Sequence, residues 1–264
     1  MSGYSLSVYT NPGIVDGNYG PHVGFFYPNY DFPQHIDFYT PHTDNLDLND
    51  SDVAYARLKS IFNLVRGVFS ILNYPKVWED GKLNYDHGTH WSKPTWRKHP
   101  LFSHIEKQNP FDDEISLKLT NKEQSKGRFA TFFQLVVDHS HIRDVMNLYV
   151  DAIDNNELMY INAYKIYETI KTDLGISGRK QEEQLNSLDI PLNLKRNMNK
   201  IKSSTKLLNN DGGIFYKRHG HNPFNPENPK SEEELNQLNH IKDHMKELVY
   251  EWFKYNIEKK ERSK

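Results

Sequence analysis

Hydrophobic positions in the first fifty residues alternate: Leu6 and Val8, then Val23, Phe25 and Tyr27, then Ile36 and Phe38. A period of two puts one set of side chains on one face of a strand. Asn11-Pro12-Gly13 and Asp16-Gly17-Asn18 separate the runs, so this stretch predicts short strands joined by tight turns. At Val53 the period lengthens. Ala54, Leu58, Ile61, Val65, Val68 and Leu72 recur at spacings of three and four behind the cap residues Asp50 and Ser51, which predicts a helix over 53–72 stopped by Asn73-Tyr74-Pro75.

From Lys76 to Lys126 the pattern is broken. Leu83 with Tyr85, and Ile115 with Leu117 and Leu119, alternate as strands do. Between them lies a polar loop holding His87, His90, Trp91, Trp96, His99 and His104. The apolar run 129–137 fits a strand or the start of a helix equally well. Helical periods then dominate: 142–153, a break at Asp154-Asn155-Asn156, 157–174 closed by Gly175, a polar connector over 178–186, and a helix opened by Pro191 with Leu194, Met198, Ile201 and Leu208 on one stripe. Ser231 and Glu234 form a capping-box pattern before a last helix whose apolar face runs from Leu235 to Tyr255, with a lysine-rich end expected to fray. The fold class expected is α+β: an N-terminal mixed strand and helix unit, residues 1–126, followed by an all-α bundle of about four helices, residues 127–264.

Composition narrows the chemistry. The 264 residues include no cysteine, which excludes disulfides, thiolate catalysis and cysteine-ligated zinc. No basic start followed by an apolar run opens the chain, and no eighteen apolar residues stand together, so a cytoplasmic protein with no membrane partner is expected. The formal net charge of −2 points to no polyanionic partner by itself, leaving any such role to local patches. Phosphate-binding glycine loops, nucleophile elbows and paired carboxylates are absent from the pattern, and no cofactor is implied.

The densest reactive cluster is Phe215 to Pro229, FYKRHGHNPFNPENP, with Arg218, His219 and His221. A guanidinium grips phosphate through parallel hydrogen bonds and an imidazole moves a proton near neutral pH, so these three are the candidate catalytic residues for metal-independent cleavage of an RNA backbone. The preceding helix carries Lys195, Arg196, Lys200, Lys202 and Lys206, and with Lys217 they form the candidate RNA-binding face. A structural loop and a solvated helix face are the competing readings. His240 and His244, four apart on one helical face, have a spacing able to seat a metal, with His139 and His141 as distant companions; no acidic base accompanies them, and a boundary histidine pair is preferred to a metal site. Trp91 and Trp96 among the histidines of the 86–104 loop suit stacking on a ring, or an aromatic anchor for a surface loop.

Tyr164 and Glu168 on a tyrosine-rich helix, then a basic helix, an Arg-His-Gly loop, a proline-rich link and a Ser-x-x-Glu helix start resemble the helical HEPN-type domains of bacterial defence, toxin and mobile-element systems. The resemblance spans 129–259 and leaves the N-terminal half unassigned. It implies a compact bundle of about four helices, often a homodimer, that binds RNA and in active members cleaves it without metal. Those members carry Arg, four to six residues, then His. Here the positions that should hold that histidine are Pro223, Phe224 and Asn225. The departure keeps a second expectation open, a non-catalytic interaction or sensor module. Arg97 and His104 match the spacing by chance, outside the helical half and with Pro100 between them.

Overall fold

The structure is a computed structural model that describes residues 3–10, 17–27, 35–85, 109–120, 127–211 and 240–262. It is α+β, an antiparallel sheet followed by helices. Five strands, β1 (Tyr4–Thr10), β2 (Gly17–Asn18), β3 (Gly24–Phe26), β4 (His35–Tyr39) and β5 (Val77–Tyr85), lie in the order β2-β3-β4-β1-β5. Alternation sends Leu6, Val8, Phe25, Ile36, Phe38 and Leu83 to one face, and all are buried. β1 is central, flanked by β4 with Ser7 opposite Asp37 and by β5 with Ser5 opposite Asn84. The β1–β5 register shifts between Leu6 and Val8, so β5 is locally irregular opposite Ser7.

Helix α1 (Ser51–Leu72) packs on β1 and β5. Its burial is wider than one stripe: Tyr55, Phe62, Leu64, Phe69 and Ile71 are buried along with the expected row, because α3 (Arg128–Asp138) packs on it as well. Asn73 ends α1 in the left-handed conformation at φ 62°, with its N–H bonded to Ser70 O and the Tyr74 N–H to Phe69 O. The Tyr74 ring stacks on Phe69 at 5.1 Å and completes the cap. Gly175 closes a later helix by the same two bonds, at φ 73°.

Two segments differ from the sequence pattern. Residues 113–120, expected as a strand, form helix α2 (Asp113–Thr120). Ile115 and Leu119, four apart, are buried while Leu117 between them is 71% exposed, and the Asp112 carboxylate accepts the Ile115 N–H as a cap. Alternation over three residues cannot distinguish a strand from a helix whose middle residue faces water. The ambiguous run is helix α3, in which Phe129, Phe132, Phe133 and Val136 fall on one face. Phe129 meets Phe69 edge-on at 5.1 Å, so this helix belongs to the N-terminal core.

The chain divides into two compact units, Met1–Arg143 and Asp144–Lys264, inside helix α4 (Ser140–Asp154). The division falls later than the change of pattern at Lys126 because α3 packs on α1. In the second unit α5 (Asn156–Asp173), α7 (Leu192–Asp211) and α8 (Ile241–Arg262) pack in all three pairings around Ile166, Ile170, Met198, Ile201, Met245 and Trp252. The connector before α7 holds a further short helix, α6 (Gln181–Ser187). α8 stays helical to Arg262, where Lys259, Lys260 and Arg262 sit in the last turn that a helix dipole favours for cations.

Candidate functional site

Two buried polar clusters stand out, both in the N-terminal unit. The first lies on the sheet face opposite the apolar one. Cross-strand register brings Ser5, Ser7, Asp37 and Asn84 together, with exposures of 6, 1, 3 and 4%. Ser5 Oγ donates to Asp37 Oδ2 at 3.0 Å and Ser7 Oγ to Oδ1 at 3.1 Å. Asn84 Nδ2 donates to Asp37 Oδ2 and to Ser7 Oγ, each at 2.9 Å. Those two bonds fix the amide's orientation, because both partners there are acceptors. Asn84 Oδ1, on the same amide, is buried without a partner. Such an acceptor costs about 1–3 kcal/mol relative to a satisfied one.

The second cluster is a histidine pair. Gly20, at φ 133° with its Cβ position 3.3 Å from Ala130, lets the chain pass close against α3 and delivers His22 into the core. His42 comes from a 3-10 turn, Pro41–Thr43, whose cap is Thr40. His22 Nδ1 and His42 Nε2 are 3.0 Å apart. The ring planes differ by 5° and the centroids lie 5.3 Å apart, close to the N···N distance plus two ring radii, so the rings meet edge to edge in one plane. The Asp112 N–H donates to His42 Nδ1 at 3.0 Å, which makes that nitrogen the acceptor and places the proton on Nε2. His22 Nδ1 therefore accepts, and its own proton lies on Nε2, while hydrogen bonding to the Gln134 side chain favours the charged ring. Gln134 Nε2 donates on to Asp138 Oδ1 at 2.8 Å. One proton order thus runs from the Asp112 amide through both rings.

Both rings are kept neutral. Burial is the largest cause for each, holding His22 below its ordinary value and pushing His42 down to about 3, where His22 and Arg57 add to the effect and Asp112 opposes it. Phe111 stands edge-on to both rings, and Arg57 Nη1 donates to the His42 carbonyl at 2.8 Å. With exposures of 2 and 0%, His22 and His42 reach no external substrate. Their chemistry is to order protons and hold the 3-10 turn, α2 and α3 together.

In the C-terminal unit α7 buries Leu194, Asn197, Met198, Ile201 and Ser204, which turns Lys195, Arg196, Lys200 and Lys202 outward. Arg196 is exposed. Lys195 Nζ donates to Asn186 O at 3.0 Å, Lys200 pairs with Glu247 at 3.2 Å, and Lys202 pairs with Glu182. Lys206 lies on α7, but its side chain is outside the described residues, as are Lys217, Arg218, His219 and His221. Tyr164 and Tyr167 neighbour one another on α5, and Glu168 Oε2 receives Lys171 Nζ at 2.6 Å.

His240 is exposed with Nδ1 3.5 Å from Asp243, while His244 has a buried, unpartnered Nδ1. Burial first, then Lys200, holds His244 below its ordinary value. Among the described residues no three His, Asp or Glu stand where they could hold a metal, and no helix is long and apolar enough to cross a membrane. The 86–104 loop of histidines and tryptophans lies outside the described residues. Sequence reasoning missed both buried clusters. Asp37 between Ile36 and Phe38, and Ser5 and Ser7 around Leu6, read as the polar side of half-buried strands, and nothing marks His22 or His42 as partners. Comparison of the chain with protein-family models, curated proteins and solved structures finds no match.

Proposed function

We propose that the C-terminal unit is a HEPN-like RNA-binding module, with the outer face of α7 and the loop bearing Lys217, Arg218, His219 and His221 as its RNA contact. The observation that carries this reading is the orientation of α7: burying Leu194, Met198 and Ile201 directs its cations outward on the helix that leads into Arg218. The ion pairs of Lys200 and Lys202 do not oppose it. Exposed pairs contribute about 0–1 kcal/mol, so a phosphate can replace the glutamate. In this reading Arg218 grips phosphate, with His219 or His221 moving the proton if the strand is cut, and a homodimer sets two such faces together.

The test is a mixed-sequence RNA titrated in EDTA against wild type, Arg196→Ala and Arg218→Ala, with strand integrity read in parallel. Each variant should weaken binding and lower the dependence of log K on log salt by about 0.7, the value for one lost phosphate contact on a single strand. Equal binding by all three proteins rules the reading out. Intact RNA with normal binding selects a non-catalytic module, the second reading, which is favoured by Pro223, Phe224 and Asn225 standing where active relatives place histidine.

A further inference from the structure

The hydrogen-bonding capacity of the histidine pair is full. The contact between His22 Nδ1 and His42 Nε2, 3.0 Å long, holds one hydrogen; the other lies on His22 Nε2, and His42 Nδ1 is taken by the Asp112 N–H at 3.0 Å. A third proton has no place in the closed arrangement. On His42 Nδ1 it would point at the Asp112 N–H, and on His22 Nδ1 at the hydrogen of His42 Nε2. Moving that hydrogen across the His42 ring only transfers the conflict to the Asp112 amide. Arg57 from α1 disfavours a charged His42; Asp112 opposes that effect and Asp138 of α3 favours a charged His22, but neither carboxylate removes the conflict between N–H groups.

The pair also fastens a segment. Phe111, just before α2, stands edge-on to both rings and to Phe133 of α3, and α2 packs on the 3-10 turn with Ile115 and Leu119 buried. We infer that His22 and His42 form a proton-operated latch: when residues 109–120 lift from the 3-10 turn the rings meet water, take up protons and hold the segment open, while the sheet and α1 stay folded. No path for a proton through the closed structure is needed, since uptake follows opening. The closed His42 is held down to about 3 and an open one takes its ordinary 6.5, so the latch is fully favoured above 6.5 and weakens as pH falls from there toward about 3. From pH 7 to pH 5 this ring alone raises the open fraction about twenty-five-fold. His22, also held low by burial, adds to the effect. The inference concerns the N-terminal unit and is independent of RNA binding by the other.

The chain has no cysteine, so a single buried one reports opening. Leu119→Cys on α2 and Val8→Cys on β1, each in the full-length protein, are exposed to dithiodipyridine at the same two pH values, and each rate is divided by that of the urea-unfolded chain at that pH. The ratio for the thiol that replaces Leu119 should rise about twenty-five-fold on acidification and stay unchanged in low urea, as a local opening that exposes little surface requires. The thiol that replaces Val8 should react far more slowly and accelerate with urea. Adding His42→Asn, whose amide oxygen can accept the Asp112 N–H but which does not titrate, should remove most of the pH response. A ratio on α2 that is flat with pH, or that equals the ratio on β1 with the same urea dependence, overturns the inference. The wild-type protein decides independently should a variant fail to fold: at pH 7 the ring nitrogen resonances of His42 must show the hydrogen on Nε2 and a bare Nδ1, and a hydrogen on Nδ1 overturns the latch as well.

Discussion

The two units bury charge in different ways. In the first, Asp37 is enclosed by two hydroxyls and an amide, and His22 and His42 are enclosed as neutral rings. In the second, the buried cation Lys171 on α5, 6% exposed, meets a carboxylate at 2.6 Å and Gln181 at 3.3 Å, and Lys200 and Lys202 of α7 lie in exposed pairs. Neutral donors stabilise a buried carboxylate only as a set, since each one left behind becomes an unsatisfied buried group. A surface pair has water as its alternative partner. The N-terminal unit should therefore respond strongly to single substitutions and to acid, and the C-terminal unit weakly to both.

Asp37→Ala is the sharpest way to break this contrast. It strands the Ser5, Ser7 and Asn84 donors together and should destabilise the protein by about 3 kcal/mol in urea melts followed by circular dichroism. A change below that of a surface substitution would mean the cluster is wet and the contrast unfounded. Acid comes next. His42 has a folded pKa of about 3 against an ordinary value of 6.5, so the folded state binds fewer protons; stability is full above the ordinary value and falls as pH drops from there toward about 3. Between pH 7 and pH 5 the loss should be about 2 kcal/mol for this ring. His42→Gln should flatten that slope, and an unchanged slope in the variant would place the acid sensitivity elsewhere. Lys171→Met in the C-terminal unit should cost only about 1 kcal/mol, because Glu168 can turn to solvent and the stem still packs. Smallest is Lys200→Ala, below about 1 kcal/mol and vanishing in 1 M salt, checked by the same melts with and without salt.

The sequence made the apolar architecture visible, and much less of the polar one. The α1 stripe, the strands around Leu6 and Phe38 and the α7 row at Leu194, Met198 and Ile201 are legible because burial of an apolar face forces a period on the chain. Helix α2 was obscured by Leu117, an apolar residue on the water side; the better signal was Asp112-Asp113-Glu114, a cap and an acidic first turn. The Asp37 and His22–His42 clusters were beyond reach for another reason. Alternation tells which face of a strand a residue takes, and a polar residue there reads as solvated. That the polar face of β1, β4 and β5 is itself buried depends on the tertiary arrangement, as does the meeting of His22 with His42. The Arg218 loop, conspicuous in sequence, lies where its geometry is not described, so it enters as a proposal to be tested with RNA.

The fixed proton order between His42 and His22 has a consequence for measurement. The hydrogen on His42 Nε2 lies between two buried rings, and it can trade with water only when the 3-10 turn that carries His42 parts from the His22 ring. Its nuclear magnetic resonance line, one among thirteen histidines, should therefore persist while those of exposed rings are lost to exchange. The rate at which it takes up deuterium would time the local opening of the N-terminal unit from within, without label or mutation.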